Sequence, residues 1–263
     1  MTTTNPTVLL TIDQRGVAYL TLNRPEVHNA FDDLLIAEIL NKLAAVRDAK
    51  ARVLVFGSEG KSFSAGADLG WMKRMAEYSQ AENKKDAQEL ARLMHELDTL
   101  PCPTICRVQG AAYGGAVGLA ACCDLVVATG KARFCLSEVK IGLSPAVISH
   151  YVVRALGVRA MRRYALTAEV IDVEKAQQLG LVDEVVAEEA LDAEIEQLVK
   201  VLLANSPQAV AHTKALVHFV ADRPADLTTQ DYTTDLIAKI RVSAEGQEGL
   251  SAFFEKRAAN WQK

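Results

Sequence analysis

Short apolar runs bounded by turn signals fill the first half of the chain, and longer stretches with helical spacing fill the second. Residues 8–12 and 17–22 are β-rich runs either side of Asp13-Gln-Arg-Gly16, the pattern of a hairpin. Asn23-Arg-Pro25 ends the second run. Asp32 and Asp33 then open a helix, with their charges well placed at its N-terminus. Leu35, Ile39, Leu43 and Val46 recur along it at helical spacing. Residues 53–56 predict a buried strand, and 81–100 a charged amphipathic helix that stops before Pro101 and Pro103. A strand over 104–108, a helix over 115–123 and a strand over 124–128 follow. From about Val147 the composition predicts helices almost throughout, over 147–155, 160–166, 173–178, 191–204, 207–220, 227–241 and 247–261. The alternation implies an α/β core with repeated units, assigned to residues 1–200. A C-terminal helical region over 201–263 is suited to subunit contacts. No Gly-, Ser- or Pro-rich linker separates independent domains.

Composition narrows the classes of partner. The 263 residues carry a formal charge of −4, which gives no reason to expect nucleic acid. Five cysteines, Cys102, Cys106, Cys122, Cys123 and Cys135, are an odd number without metal-ligand spacing. They read as reduced thiols of a cytoplasmic protein, with Cys122 and Cys123 as small core fillers and no metal. Met1-Thr-Thr-Thr-Asn5 has neither a basic nor an apolar stretch, so no targeting peptide is expected. No run reaches the roughly 18 apolar residues of a membrane span.

Two stretches of small residues carry the candidate chemistry. They are Phe63-Ser-Ala-Gly-Ala-Asp68 and Gly110-Ala-Ala-Tyr-Gly-Gly-Ala-Val-Gly118. Each lies where a strand gives way to a loop or helix, so backbone N–H groups are left unpaired and a ligand can approach closely. Two N–H groups aimed at one carbonyl oxygen form an oxyanion hole. This points to an enzyme that acts on a carbonyl compound through its enolate. The competing reading is that both are tight turns serving packing.

The chain resembles the enoyl-CoA hydratase/isomerase (crotonase) family over essentially its whole length. The resemblance runs from Leu20-Thr-Leu-Asn-Arg-Pro25 and Asn29-Ala30, through the first small-residue stretch and Gly114-Gly115, to Ser137-Glu138-Val-Lys-Ile-Gly142. It continues through Leu179-Gly-Leu-Val-Asp-Glu184 and ends at Gly249-Leu-Ser-Ala-Phe-Phe-Glu-Lys256. Phe63 to Met72, Gly114 to Asp124 and Leu136-Ser-Glu-Val139 are most similar to bacterial methylglutaconyl-CoA hydratases. The resemblance implies a spiral of ββα units whose C-terminal helices form a homotrimer, often a dimer of trimers (a homohexamer). It also implies an acyl-CoA thioester substrate, with coenzyme A entering only as part of that substrate and no separate cofactor.

Carried over by position, the oxyanion donors are the N–H groups of Ala67 and Gly115. A large side chain at either would block the thioester. Adenine and pantetheine would lie along Glu26, Ala30, Ala65 and Ala67, with Phe253 and Lys256 reaching the nucleotide from a neighbouring subunit. Gly66, Asp68, Gly114 and Gly118 complete the substrate-binding set in the two stretches. Trp71 and Met72 line either the acyl pocket or the core. Glu138 is the acid/base candidate, since partial burial raises a carboxyl pKa toward working pH; the competing reading is a loop cap or a pair with Lys140. Gly118 departs from the family, whose hydratases usually carry a second glutamate there. Its absence is expected to open space and remove repulsion for a substrate that brings its own carboxylate. Lys73, Arg74 and His150 are candidates to attract that carboxylate, and Tyr113 and Tyr151 could offer a hydroxyl. The expected reaction is hydration of methylglutaconyl-CoA in leucine breakdown. The alternatives are a longer isoprenoid glutaconyl-CoA, double-bond isomerisation, and a non-catalytic acyl-CoA-binding protein.

Overall fold

The structure, a computed structural model, describes residues 6–262. Residues 1–5, where no targeting segment is expected, lie outside the described residues. Strands β1 (Val8–Ile12) and β2 (Val17–Leu22) form the expected antiparallel hairpin, in the register Val8 opposite Leu22. After a 3-10 turn over Pro25–Val27, helix α1 (Asp33–Asp48) starts where the Asp32 carboxylate accepts the Leu35 N–H at 2.9 Å. It buries Leu35, Ile36, Ile39, Leu40, Leu43 and Val46, and each such side chain contributes about 1.5–3 kcal/mol. Strand β3 (Val53–Ser58) is buried along its length. Helix α2 (Leu69–Met75) and helix α3 (Gln80–Asp98) follow, the latter opened by a Ser79–Glu82 capping box.

The middle of the chain repeats one manoeuvre. Strand β4 (Thr104–Val108) hands over to β5 (Ala111–Tyr113), then helix α4 (Gly115–Cys122) returns the chain. Strand β6 (Leu125–Thr129) hands over in the same way to β7 (Arg133–Cys135), and helix α5 (Ser149–Thr167) follows. Strand β8 (Ile171–Asp172), helix α6 (Val173–Gln178), strand β9 (Glu184–Val186) and helix α7 (Leu191–Leu203) complete the core. Helices α8 (Pro207–Val220), α9 (Leu227–Val242) and α10 (Ala244–Glu255) end the chain. The main sheet runs β1-β2-β3-β4-β6-β9, all parallel apart from the first pair, and the second runs β5-β7-β8. In these two units the long strand belongs to one sheet and the short strand after it to the other, which is the repeat of a spiral of ββα units.

Both faces of the main sheet are covered, so its strands read as apolar runs. Ala18, Leu20, Leu22, Leu54 and Phe56 pack with α1, α3 and α4, whereas the alternate residues Val17, Val53 and Val55 pack against Leu191, Ile195 and Val199 of α7. By contrast, α8 and α9 contain no buried residue and α10 buries only Ala252.

Three expectations need correction. The helices expected over 147–155 and 160–166 are one element, broken at Gly157 (φ 77°, ψ 158°). The second half is not helical throughout, because β8 and β9 lie there, with Val127–Thr129 pairing to Glu184–Val186; strands of two or three residues are too short to show alternation. Likewise α2, β5 and β7 were not legible as elements. The last helix stops at Glu255, where Lys256 takes a left-handed conformation (φ 55°), not at 261.

Asn29 locks the entry to the site. Fully buried and itself left-handed (φ 54°), it accepts the Arg24 N–H at 2.9 Å and donates to the carbonyls of Glu59 (2.8 Å) and Ser62 (3.0 Å). Removing its amide leaves buried backbone groups without partners. Asn29→Ala is expected to lower the unfolding free energy by about 2–4 kcal/mol, measured by urea denaturation; a loss below about 0.5 kcal/mol would contradict this role.

Candidate functional site

The two small-residue stretches lie side by side. Ser64 N–H donates to Ala111 O and Tyr113 N–H to Ser64 O, both at 3.0 Å. On its other side the first stretch is stitched to residues 28–31: Ala65 N–H donates to His28 O, Phe31 N–H to Gly66 O and Asp68 N–H to Phe31 O, each at 2.9 Å. The bonds from Phe31 go to the residues before and after Ala67, so the Ala67 N–H faces away from Phe31 and has no hydrogen-bond partner among the described residues. Gly115 opens α4, where the first N–H groups have no intrahelical acceptor. Its N–H is also unpartnered among the described residues, whereas Gly114 N–H is taken by Cys135 O at 2.8 Å. The structure thus brings the two expected donors together on adjoining loops.

Steric reasons for the small residues differ from the expected one. Gly66 (φ 88°) has the Tyr113 carbonyl oxygen 2.7 Å from where a Cβ would stand. Gly114 adopts φ 53°, ψ −126°, a conformation that favours glycine. At Gly115 a Cβ would stand 2.5 Å from Phe31 Cζ, so a core aromatic ring already excludes a side chain there, whatever the thioester needs.

Glu138 begins the 3-10 turn Glu138–Ile141 that follows β7. Its Oε1 stands 3.3 Å from where a Gly114 Cβ would be, which places the carboxylate beside the donor loop. Its Oε2 is buried and has no hydrogen-bond partner among the described residues. Burial pushes its pKa above the ordinary glutamate value, only partly opposed by its own backbone N–H. Lys140 is exposed and makes no ion pair with it. The capping and ion-pair readings therefore do not describe this residue.

Other expected residues divide. Ala65 is exposed beside the loop, Ala30 is buried beneath it, and Glu26 is exposed on the preceding turn. Asp68 is a structural residue: its Oδ1 caps α2 by accepting Gly70 N–H (2.8 Å) and Trp71 N–H (3.2 Å), and Oδ2 lies 3.4 Å from Arg24. Trp71 is 4% exposed and packs against Phe31 at 6.5 Å between ring centroids. Its Nε1 lacks an acceptor at hydrogen-bond geometry. Burial and Asp33 raise the pKa of nearby Asp86, and the Trp71 indole opposes them. Met72 is half-buried on the same helix. Gly118 does not open space: a Cβ there would stand 2.7 Å from Ile148 Cβ, closer still to its Cγ2, and 3.3 Å from Met94 Cε. Lys73 and His150 are exposed, and Arg74 is engaged by Asp33. Tyr151 turns toward His150 and Arg154. Phe253, 77% exposed, and Lys256 sit at the end of α10, which packs on α8 and α9.

Sequence reasoning missed Phe31, Asn29 and Ile148. Asn29 was visible only as a matched residue, and the other two looked like ordinary core positions. A cleft of about 790 Å³, lined by Asp98, Arg154, Lys214 and His218 among others, contains none of the donor or acid/base groups. No helix among the described residues is long and apolar enough to cross a membrane.

Residues 13–263 match the enoyl-CoA hydratase/isomerase family. An enoyl-CoA hydratase structure from Shewanella pealeana is 48% identical, superposes with a TM-score of 0.94, and the match covers 97% of this chain and 96% of that one. The crotonyl-CoA hydratase of Syntrophomonas wolfei is 31% identical over 94% of this chain and 95% of its own length. The 2,3-dehydroadipyl-CoA hydratase of Escherichia coli is 32% identical over 97% and 98%.

A raised carboxyl pKa fixes the sign of a stability effect. Above the raised native value the native state carries a penalised charge; below the unfolded value of 4.5 both states are protonated and the penalty vanishes. The unfolding free energy of Glu138→Gln minus that of the parent is therefore expected to be largest near neutral pH and to shrink as pH falls through the interval above 4.5. Chemical denaturation from pH 4 to 8 measures it; a difference that widens toward acid would reverse the assignment.

Proposed function

The chain belongs to the enoyl-CoA hydratase/isomerase family, and on that premise we propose that it is a hydro-lyase acting on a branched, carboxylated enoyl-CoA, converting methylglutaconyl-CoA to hydroxymethylglutaryl-CoA. The observation that carries this reading is the Glu138 carboxylate, with its buried unpartnered Oε2, beside two unpaired N–H groups. The thioester oxygen accepts from Ala67 and Gly115, and these donors hold the negative charge that builds on it as water attacks the β-carbon. Glu138 takes one proton from that water as its oxygen bonds to the β-carbon, then delivers a proton to the α-carbon. Its raised pKa makes it a stronger base than an exposed glutamate and a competent acid in the second step.

One carboxylate performs both transfers in this scheme, since Gly118 supplies none. The lack of a second negative group supports a substrate that brings its own, because two desolvated carboxylates close together repel. The named substrate of the E. coli relative, a dehydroadipyl thioester, is likewise a dicarboxylic acyl group. Coenzyme A is proposed to run along Glu26, Ala30 and Ala65, with Phe253 and Lys256 supplied by a neighbouring copy in a homotrimer or dimer of trimers. The exposure of Leu227, Val242, Phe253 and Phe254 on the C-terminal helices supports such an assembly. The core over 1–200 and the helical region over 201–263 would then divide catalysis from association.

A second reading, double-bond isomerisation, is favoured by the same lone carboxylate, because one base can move a proton between two carbons. Methylglutaconyl-CoA, a longer isoprenoid glutaconyl-CoA and crotonyl-CoA, each incubated in oxygen-labelled water, separate the possibilities. Label is expected in product, fastest from methylglutaconyl-CoA. Faster turnover of crotonyl-CoA removes the carboxylated substrate, and a shifted double bond without label makes the protein an isomerase. Glu138→Gln is expected to lower turnover by about 10²–10⁴ with CoA-thioester binding retained; unchanged turnover removes Glu138 from the chemistry.

A further inference from the structure

The first donor stretch is tied down one peptide group at a time. Each peptide is planar and trans, so the carbonyl of one residue and the N–H of the next point in opposite directions and turn together. The peptide between residues 64 and 65 is held at both ends: Ser64 O accepts the Tyr113 N–H at 3.0 Å, and Ala65 N–H donates to His28 O at 2.9 Å. The peptide between 66 and 67 carries the donor. Gly66 O accepts the Phe31 N–H at 2.9 Å, which turns the Ala67 N–H away from Phe31. Asp68 N–H, donating to Phe31 O at 2.9 Å, holds the peptide after it.

Between these lies the peptide joining Ala65 to Gly66, and there a side chain does the holding. Gly66 N–H donates to Ser64 Oγ at 3.1 Å, and the same hydroxyl donates its proton to Asn29 O at 2.7 Å. Ser64 is wholly buried, so water does not stand in for either bond. The residue it clamps is the least restricted of the run, since Gly66 has φ 88° and no Cβ. A rotation about its torsions would swing the plane that carries the Ala67 N–H. The Ser64 proton is committed to a backbone carbonyl and no base touches the hydroxyl among the described residues, so it is not a nucleophile.

We propose that Ser64 is a positioning residue for the Ala67 donor, its hydroxyl clamping the Gly66 N–H so that the Ala67 N–H stays aimed at a bound thioester oxygen. This rests on reading the two unpaired N–H groups as the thioester site. The clamp adds neither a ligand contact nor a charge; it acts by keeping one peptide plane from turning.

Infrared difference spectra of a bound thioester read the donor directly, because a hydrogen bond to a carbonyl lowers its stretching frequency. Butyryl-CoA and 3-methylglutaryl-CoA are saturated and add no water. Each, with a heavy-carbon label at the thioester carbonyl, is bound to the full chain and to Ser64→Ala, Ser64→Cys and Ser58→Ala. Ser58 is the control, a buried serine whose hydroxyl donates to Ser62 O at 3.1 Å and accepts from Gln109 Nε2 at 3.0 Å, with neither bond reaching residues 64–68. The parent is expected to lower the carbonyl frequency, and Ser64→Ala to lose much of that lowering. Turnover of methylglutaconyl-CoA is expected to fall by about 10–10² in Ser64→Ala, with Kd for the saturated thioesters raised less than about threefold; losing a donor outright costs about 10²–10³. Ser64→Cys, whose thiol donates and accepts weakly, is expected to lose less of the lowering. If Ser64→Ala does not fold, Ser64→Cys decides. A merely structural hydroxyl would lower Tm in both alanine variants and leave the carbonyl frequency at its parent value. An unchanged frequency in the folded Ser64 variants, or an equal loss in Ser58→Ala, overturns the proposal and leaves the thioester site standing. If the parent binds neither thioester, or binds without lowering the carbonyl frequency, the thioester site and the positioning role fall together.

Discussion

Everything at the site depends on two loops approaching more closely than side chains allow. The Tyr113 carbonyl oxygen lies 2.7 Å from where a Cβ on residue 66 would be, and the Phe31 ring 2.5 Å from where a Cβ on residue 115 would be. Close approach lets Ser64 bond both neighbours of Ala112, while Phe31 bonds both neighbours of Ala67. Parallel bridging of that kind directs the N–H of the residue between away from its partner strand. A half-buried N–H without an acceptor opposes folding, so it persists only because the surrounding bonds over-determine the backbone.

Glu138 adds a second unfavourable element to the same few ångströms. Among the described residues no cation pairs with it, and one of its oxygens has neither solvent nor donor. The nearby N-terminus of α4, with its partial positive charge, is a favourable place for the anionic form. Donors without acceptors and an acceptor without a donor stand together, an arrangement that a ligand able to satisfy both would complete.

Much of this was legible in the chain, though unevenly. Apart from α2 and β5, the strands and helices of the first 130 residues follow from apolar spacing, with Asp32 and the prolines after α3 marking boundaries. The donor loops were legible from the order and spacing of two small-residue stretches at strand ends, since either stretch alone would read as an ordinary packing turn. What could not be seen was which neighbour each glycine accommodates. Phe31 and Ile148 are apolar residues whose local pattern says only that they are buried, and their relation to Gly115 and Gly118 exists only in three dimensions. Asp68 lies in the same stretch, and what the sequence did not show is that its carboxylate caps α2 and meets Arg24. Strands β8 and β9 were hidden by brevity, since two or three residues carry no period.

Glu138 and Ile148 are ten positions apart on one connecting segment, anchored by β7 at one end and α5 at the other. An insertion or deletion between them would draw the Glu138 carboxylate from Gly114 and the Ile148 side chain from Gly118 together. The two ends of the segment are thus mechanically linked through α4, so a change in its length cannot alter one contact and spare the other.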